Sequence, residues 1–264
     1  MTRPRRPRDA PRRTESDEAL VLRLTPVGEG DAIVHLLTRD HGKLRASAKR
    51  IRSARGALTG RFEILSHVAV RWEEGRELAR IVSAGVVASS FAAASDPGVL
   101  PFVAYVAELA DEMLPDRDPA PKVFRLMVKA ARALGEGVAP RQVARYVEYW
   151  ILRLSGHVPD ERSCGSCGRA FVTGDGATLV LARDGIVCES CARSAGEPQM
   201  RFGPTLQSAI RAVRQRDVLA FGGAPLPENA LRALGSFDRA LLLDVLGREP
   251  RTVGYLRRYG LDHI

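Results

Sequence analysis

Two periodicities divide the chain. From residue 18 to about 88, apolar positions fall at every second residue or in short unbroken runs; beyond about 95 they recur every three or four. "EALVLRL" sets Leu20, Leu22 and Leu24 on one side, the mark of an amphipathic strand. "DAIVHLLT" is almost continuously apolar, as a strand buried on both faces would be. After the turn "RDHG", "KLRASAK" alternates again, and "SHVAVRW", the polar tip "EEGRE" and "LARIVSAGVV" read as a hairpin. Five strands in about 70 residues, with a longer connection between the third and fourth, predict a small OB-like barrel. Between the first two, "PVGEGD" at 26–31 reads as a turn.

After "SDPG" the period is helical. Asp96 before Pro97 is a start signal, because proline tolerates the first helical position, where its missing N–H is not needed. That helix should run to Leu114, where Pro115 stops it, and a second should span 119–134. A third follows Pro140, with Val143, Tyr146, Val147, Trp150, Ile151 and Leu154 on one stripe and Gly156 as its cap. Helical pattern returns at 203–216, 226–246 and 250–259. The expected class is α+β: an N-terminal five-stranded OB-like barrel, then a helical domain with an inserted four-cysteine zinc module. The expected divisions are a disordered Arg/Pro-rich arm over 1–15, the barrel over 16–92, the helical domain over 93–160 and 201–264, and a zinc-ribbon-like module over 161–200.

Charge adds a partner class to this outline. Forty basic residues stand against 31 acidic ones, a net charge of +9 that favours a polyanion such as nucleic acid. The excess is concentrated. Residues 1–13 hold six arginines and three prolines. Residues 41–61, "HGKLRASAKRIRSARGALTGR", hold seven basic residues (Lys43, Arg45, Lys49, Arg50, Arg52, Arg55 and Arg61) and no acid. If 43–49 is a strand, Leu44, Ala46 and Ala48 point into the barrel, while Lys43, Arg45, Ser47 and Lys49 form an outer cationic row. A mobile cationic loop follows, kept flexible by Gly56 and Gly60. Such a surface suits phosphates, and arginine also stacks on bases. Trp72 reads as a core residue beside Val68 and Val70, its alternative being a stacking surface.

The cysteines carry the sharpest chemistry. "CGSC" at 164–167 and "CESC" at 188–191 are two C-x2-C knuckles, each aiming two thiolates at one point about 2.3 Å from a zinc ion. The hairpin-like "ATLVLARDGIVC" between them, with Asp184-Gly185 suited to a type I′ turn, completes a ribbon. Four cysteine ligands close the coordination shell, so a zinc ion held by Cys164, Cys167, Cys188 and Cys191 would be structural. A redox dithiol needs only one such pair. An iron–sulfur cluster could use all four, though the ribbon spacing favours zinc.

Signals for catalysis are missing. The sequence has no Gly-x4-Gly-Lys-Ser/Thr loop, Gly-x-Ser-x-Gly elbow or His-Glu-x-x-His pair, and its five histidines are scattered. No apolar run reaches the roughly 18 residues of a membrane span, and no apolar core follows the basic N-terminus. The expectation is a cytoplasmic, nucleoid-associated, non-catalytic protein with no membrane partner. A zinc-ribbon transcription or translation factor is the rival reading of the same charge and cysteines.

The segments "GEGDAIVHLLTRDHGKLRASAKR", "GALTGRFEILSHVAVRW", "CGSC…CESC" and "LLDVLGREPRTVGYLRRY" resemble the RecO family of bacterial DNA repair and recombination mediators, across residues 18 to 260. The resemblance implies an OB-fold that binds single- and double-stranded DNA and anneals complementary strands. It also implies a partner, RecR, with which the protein promotes RecA loading on strands coated by single-strand-binding protein (SSB). Lys43, Arg45, Lys49 and Arg50 match the DNA-binding surface of that family, and the four cysteines match its metal pattern. After Arg50 the spacing of "AKRIRSARG" departs from the family's.

Overall fold

Strands β1 (Thr14–Val27), β2 (Asp31–Thr38), β3 (Lys43–Ala48), β4 (His67–Glu73) and β5 (Ala79–Ala88) close into a barrel in the order β1-β2-β3-β5-β4. The computed structural model describes residues 13–53, 56–75, 77–172, 175–181, 185–193 and 200–258. Neighbouring strands are antiparallel except β3 and β5, which meet in parallel at Ala46–Ala79 and Ser47–Arg80. This is the five-stranded OB-like barrel that alternation predicts. Thr14 and Glu15, assigned by composition to the arm, are already strand residues paired with Glu73 and Trp72. The remainder of the arm, residues 1–12, lies outside the described residues.

The barrel interior holds Ala19, Val21, Val34, Leu36, Leu44, Ala46, Ala48, Val68, Val70 and Trp72. Trp72 is fully buried, so it offers no stacking surface; its indole N–H donates to Glu74 at 2.8 Å. β1 departs from the simple alternation. Its register against β2 shifts between Val21 and Arg23, leaving Leu22 as a bulge. Leu24 therefore packs toward the barrel core, while Leu20 and Leu22 face the helices. The single face expected for Leu20, Leu22 and Leu24 is split by that extra residue. Leu37 of β2 and Leu65 join Leu20 and Leu22 on the helical side.

Helix α1 (Phe91–Ser95) leads to α2 (Leu100–Met113), α3 (Pro121–Gly135) and α4 (Pro140–Leu154). After the cysteine module come α6 (Pro204–Gln215), α7 (Val218–Gly223), α8 (Glu228–Leu246) and α9 (Arg251–Arg258). Asp96 and Pro97 form a turn before α2 rather than its first residues: the Asp96 carboxylate accepts the Gly98 N–H at 2.7 Å. The third helix ends as predicted, with Gly156 at φ +82° and the His157 N–H returning to Leu152 at 2.8 Å. The short α1 and α7 span less than two turns, too little for periodicity to register.

α4 and α8 meet around a buried polar knot. Arg145 donates to Glu148 three residues on, Tyr105 of α2 donates to Glu148 at 2.5 Å, and Asp238 of α8 is fully buried beside them. Burial, with the Glu148 charge adding, pushes the Asp238 carboxyl well above its ordinary value. The guanidinium lies directly on α8 at Gly235, where a Cβ would stand 2.6 Å from Arg145 Cζ and 2.7 Å from its Nε. Gly→Ala in a helix interior ordinarily stabilises by about 1 kcal/mol. Here overpacking reverses the sign, and Gly235→Ala should cost about 1–3 kcal/mol, read as a lower urea midpoint.

The module between α4 and α6 is a three-stranded sheet, β6 (Ala177–Val180), β7 (Gly185–Cys188) and β8 (Met200–Arg201) in the order β7-β6-β8, with the short α5 (Glu189–Arg193). The predicted hairpin is present, and the Asp184-Gly185 turn expected at its tip falls at the edge of the described residues. No helix among the described residues is long and apolar enough to cross a membrane.

Candidate nucleic-acid interface and cysteine cluster

The basic stretch begins on β3, and alternation orients it. Leu44, Ala46 and Ala48 are buried in the barrel, and Arg45 is exposed on the outer side. Lys43 is a correction to the expected cationic row. It is only 9% exposed, because the C-terminal end of α2 and the segment after it cover this end of the strand. Its ammonium donates to the Asp111 carbonyl and lies 3.7 Å from the Asp111 carboxylate and 3.3 Å from that of Asp116. Lys43 thus joins barrel to helices and is not free to meet a phosphate.

Asp111 gathers two further barrel residues. His35 Nδ1 is 2.9 Å from Asp111 Oδ1, and Arg23 reaches Oδ2 at 3.7 Å. Burial pushes the Asp111 carboxyl up, but the His35 hydrogen bond and the charges of His35, Lys43 and Arg23 outweigh it and hold the carboxyl below its ordinary value. Through strand pairing, Arg23, His35 and Arg45 lie in one row across β1, β2 and β3. Arg23, half of whose side chain is exposed, extends the cationic surface, and the sequence reading missed it. With Val21 inside the barrel, the β1 bulge is what turns Arg23 outward, and nothing local to "VLRLT" marks a bulge.

Beyond β3 a single acid organises the cations. Asp31, at the start of β2, accepts from Lys49 Nζ at 2.6 Å and from the Arg50 backbone N–H at 2.8 Å. These two bonds, Lys49 first, lower the Asp31 pKa. Arg50 takes a left-handed conformation, φ +53°, and turns the chain out of the strand. Lys49, Arg50 and Arg52 are exposed, while Ile51 between Arg50 and Arg52 is buried in the barrel. Residues 56–62 are more tightly held than a flexible loop. Leu58 and Phe62 are each 6% exposed, and the Thr59 hydroxyl donates to the Ser53 carbonyl at 2.5 Å. Gly56 allows close approach, since a Cβ there would stand 1.9 Å from the Arg50 carbonyl oxygen. Arg61 is half-buried, its Nε donating to the Ala57 carbonyl at 2.9 Å. Arg55 lies outside the described residues.

The second site is the cysteine cluster. The sulfurs of Cys164, Cys167, Cys188 and Cys191 all lie within 4.8 Å of one another. Four sulfurs at about 2.3 Å from a shared ion stand about 3.8 Å apart, so the donor set fits a tetrahedral metal. Cys164 and Cys188 are buried and Cys167 is exposed. Gly168, φ +74°, closes the first knuckle, and the Cys167 and Cys188 N–H groups point at Cys164 Sγ from 3.5 and 3.4 Å. The second knuckle follows directly on β7. The crowded thiols separate in acidity: the Ser190 hydroxyl first, with the Cys191 N–H, brings Cys188 down to about 6, and the Cys188 sulfur first raises Cys191 to about 11. Four thiols so disposed would lose their protons to solvent on binding a soft divalent cation and would leave it no open coordination position.

Residues 13–90 match the family described as recombination protein O N terminal, and residues 94–253 match recombination protein O C terminal. Among curated proteins, the DNA repair protein RecO of Koribacter versatilis (strain Ellin345) is 35% identical over 238 residues, covering 89% of this chain and 93% of the relative. The DNA repair protein RecO of Myxococcus xanthus (strain DK1622) is 32% identical over 248 residues, 93% of this chain and 98% of the relative.

Proposed function

The chain belongs to the recombination protein O family, and on that footing we propose that it is a non-catalytic DNA-binding protein of recombinational repair. It binds single- and double-stranded DNA through the outer surface of its barrel and anneals complementary strands. With RecR it promotes RecA loading on SSB-coated single strands, in the cytoplasm at the nucleoid. Its four cysteines hold a structural zinc ion. The observation that carries the DNA reading is the run Arg45, Lys49, Arg50 and Arg52, all exposed, with Asp31 accepting from Lys49 and from the Arg50 backbone N–H.

Annealing needs no reacting group. Two strands repel through their phosphates, and a cationic surface that binds both lowers that repulsion and raises their local concentration. Base pairing then drives the reaction. Arg45 is fixed by a β-strand, and Asp31 orients Lys49 and the backbone at Arg50, so these cations meet a phosphate row partly ordered in advance. Zinc, when bound, would supply a double-positive charge that ties the two knuckles together; strand annealing does not pass through it.

A salt titration tests the reading. Four to six phosphate contacts predict a log–log slope of about −3 to −4 for binding to single-stranded DNA. Replacing Arg45, Lys49, Arg50 and Arg52 by Ala should remove most of that slope with the melting curve unchanged, and equally for unrelated sequences. Sequence-selective loss would instead favour a transcription or translation factor. A slope near zero in the wild type would end the proposal.

A further inference from the structure

The helical domain carries a second cationic surface. α3 reads "PKVFRLMVKAARALG", with no acid in its length. Its buried side is apolar, with Val123, Phe124, Leu126, Met127, Ala130, Ala133 and Leu134. Its exposed side presents Lys122, Arg125, Lys129 and Arg132. At about 100° per residue these four fall within roughly 80° of arc, and at 1.5 Å per residue they run about 15 Å along the axis. Arg132 is met by Glu136 at 2.6 Å. Lys122, Arg125 and Lys129 have no ion pair among the described residues.

Elsewhere on the helices, exposed arginines tend to have acids beside them: Arg232 with Glu228 at 3.4 Å, Arg214 with Glu161 at 2.8 Å, and Arg257 with Glu249 at 2.7 Å. A face kept merely soluble mixes signs in this way. On α3 the spacing does the reverse, placing Arg125 one turn from Lys129 and Lys122 and Arg132 three residues beyond them, like charges that weaken an isolated helix. Such a face becomes favourable when a polyanion lies along it. No aromatic side chain is exposed on α3, so recognition there is by charge alone, without base stacking.

We infer that this face of α3 is a second nucleic-acid contact, a site for the phosphate backbone of a strand other than the one on the barrel. The inference rests on the DNA-binding reading above and deepens it, because a protein that pairs two strands needs a surface for each. Gln at positions 122, 125 and 129 preserves helix propensity and removes three charges. The test compares Lys122→Gln/Arg125→Gln/Lys129→Gln with Arg45→Ala/Lys49→Ala/Arg50→Ala, each with its melting curve checked against the wild type. One measurement is the salt slope of single-strand binding. The other is energy transfer between two differently labelled, non-complementary oligonucleotides held on one protein.

The α3 variant should still bind one oligonucleotide at low salt with the barrel's slope, lose about 2 from the additional slope of taking up a second strand, and bring the two labels together about tenfold less often. The barrel variant should lose the tighter single-strand site and leave the α3 contribution in place. Unchanged slope and unchanged bridging in the α3 variant would overturn the inference and leave the barrel reading standing. Loss of all binding in the α3 variant, with none in the barrel variant, would sustain the α3 site and sink the barrel reading. Polyglutamate displacing the second oligonucleotide far better than a DNA strand of equal charge would also overturn it, marking α3 as a face for an acidic protein.

Discussion

Removing the metal with excess chelator is expected to melt one half of the cysteine module and leave the other half in place. The β6–β7 hairpin has two faces. Leu179, Ile186 and Ala177 pack into the helical core, whereas Val180, Val187, Cys164 and Cys188 form a separate small cluster with Phe171 at its edge. The second cluster is too small to hold the knuckles alone, and a structural zinc site contributes on the order of 10 kcal/mol to such a segment. The amides that close the first knuckle are Cys164 to the Arg169 carbonyl at 2.8 Å, Gly168 to Cys164 at 2.8 Å and Gly165 to Ile186 at 2.9 Å. Hydrogen exchange should show these three lose protection on chelation, while Leu179 and Ile186 remain slow. Cys188→Ser should reproduce the pattern without chelator. If the protein purifies with no stoichiometric metal and its exchange pattern ignores chelator, the metal assignment is wrong.

The second large effect is expected at Asp111. Its carboxylate is largely buried and faces His35, Arg23 and Lys43, all contributed by the barrel. Breaking a buried pair by removing one partner typically costs about 3–5 kcal/mol, because the other charge is left behind. Lys43 retains the Asp111 carbonyl and Asp116, so Asp111→Asn should fall near the lower end, about 3 kcal/mol. Pairing Asp111→Leu with Lys43→Met should recover much of that loss, since packed apolar residues replace ion pairs at little cost. The pH dependence follows from the lowered carboxyl. Asp111 is charged in both folded and unfolded chains above its ordinary value of 3.8, and there its stabilisation is complete. Stability is lost as pH falls below 3.8 and through the lower folded-state value. Urea titrations from pH 6 to 3 should show the wild type falling and Asp111→Asn nearly flat across this contribution. Parallel curves would show that the carboxylate does not anchor the barrel.

The strands, the long connection after β3 and the four-cysteine constellation were legible because each is written in local spacing. Alternation put Leu44, Ala46 and Ala48 in the barrel correctly, and two C-x2-C knuckles brought four sulfurs together across a hairpin. What alternation cannot carry is what covers the other face. Lys43 is in phase with Arg45, yet α2, some 60 residues later in the chain, buries one and leaves the other in water. The bulge at Leu22 has the same character. It is set by pairing with β2 and by the demand that Leu20 and Leu22 meet the helices, so the outward turn of Arg23 is a tertiary outcome. The loop from 49 to 62 looked flexible because glycines and charges dominate its composition. Ile51, Leu58 and Phe62, spaced without period, are buried in the barrel core instead.

The split of β1 between two cores also bears on how the protein is made. The barrel strands leave the ribosome first, and all five have been synthesised once Ala88 is added. Their outer leucines, Leu20, Leu22 and Leu37, have no cover until α2 is complete at Met113. At about 5–20 residues per second that interval lasts on the order of one to five seconds. For that time a greasy stripe stands open on an otherwise finished barrel. The outer face of the barrel is completed only as the helices that follow it are made.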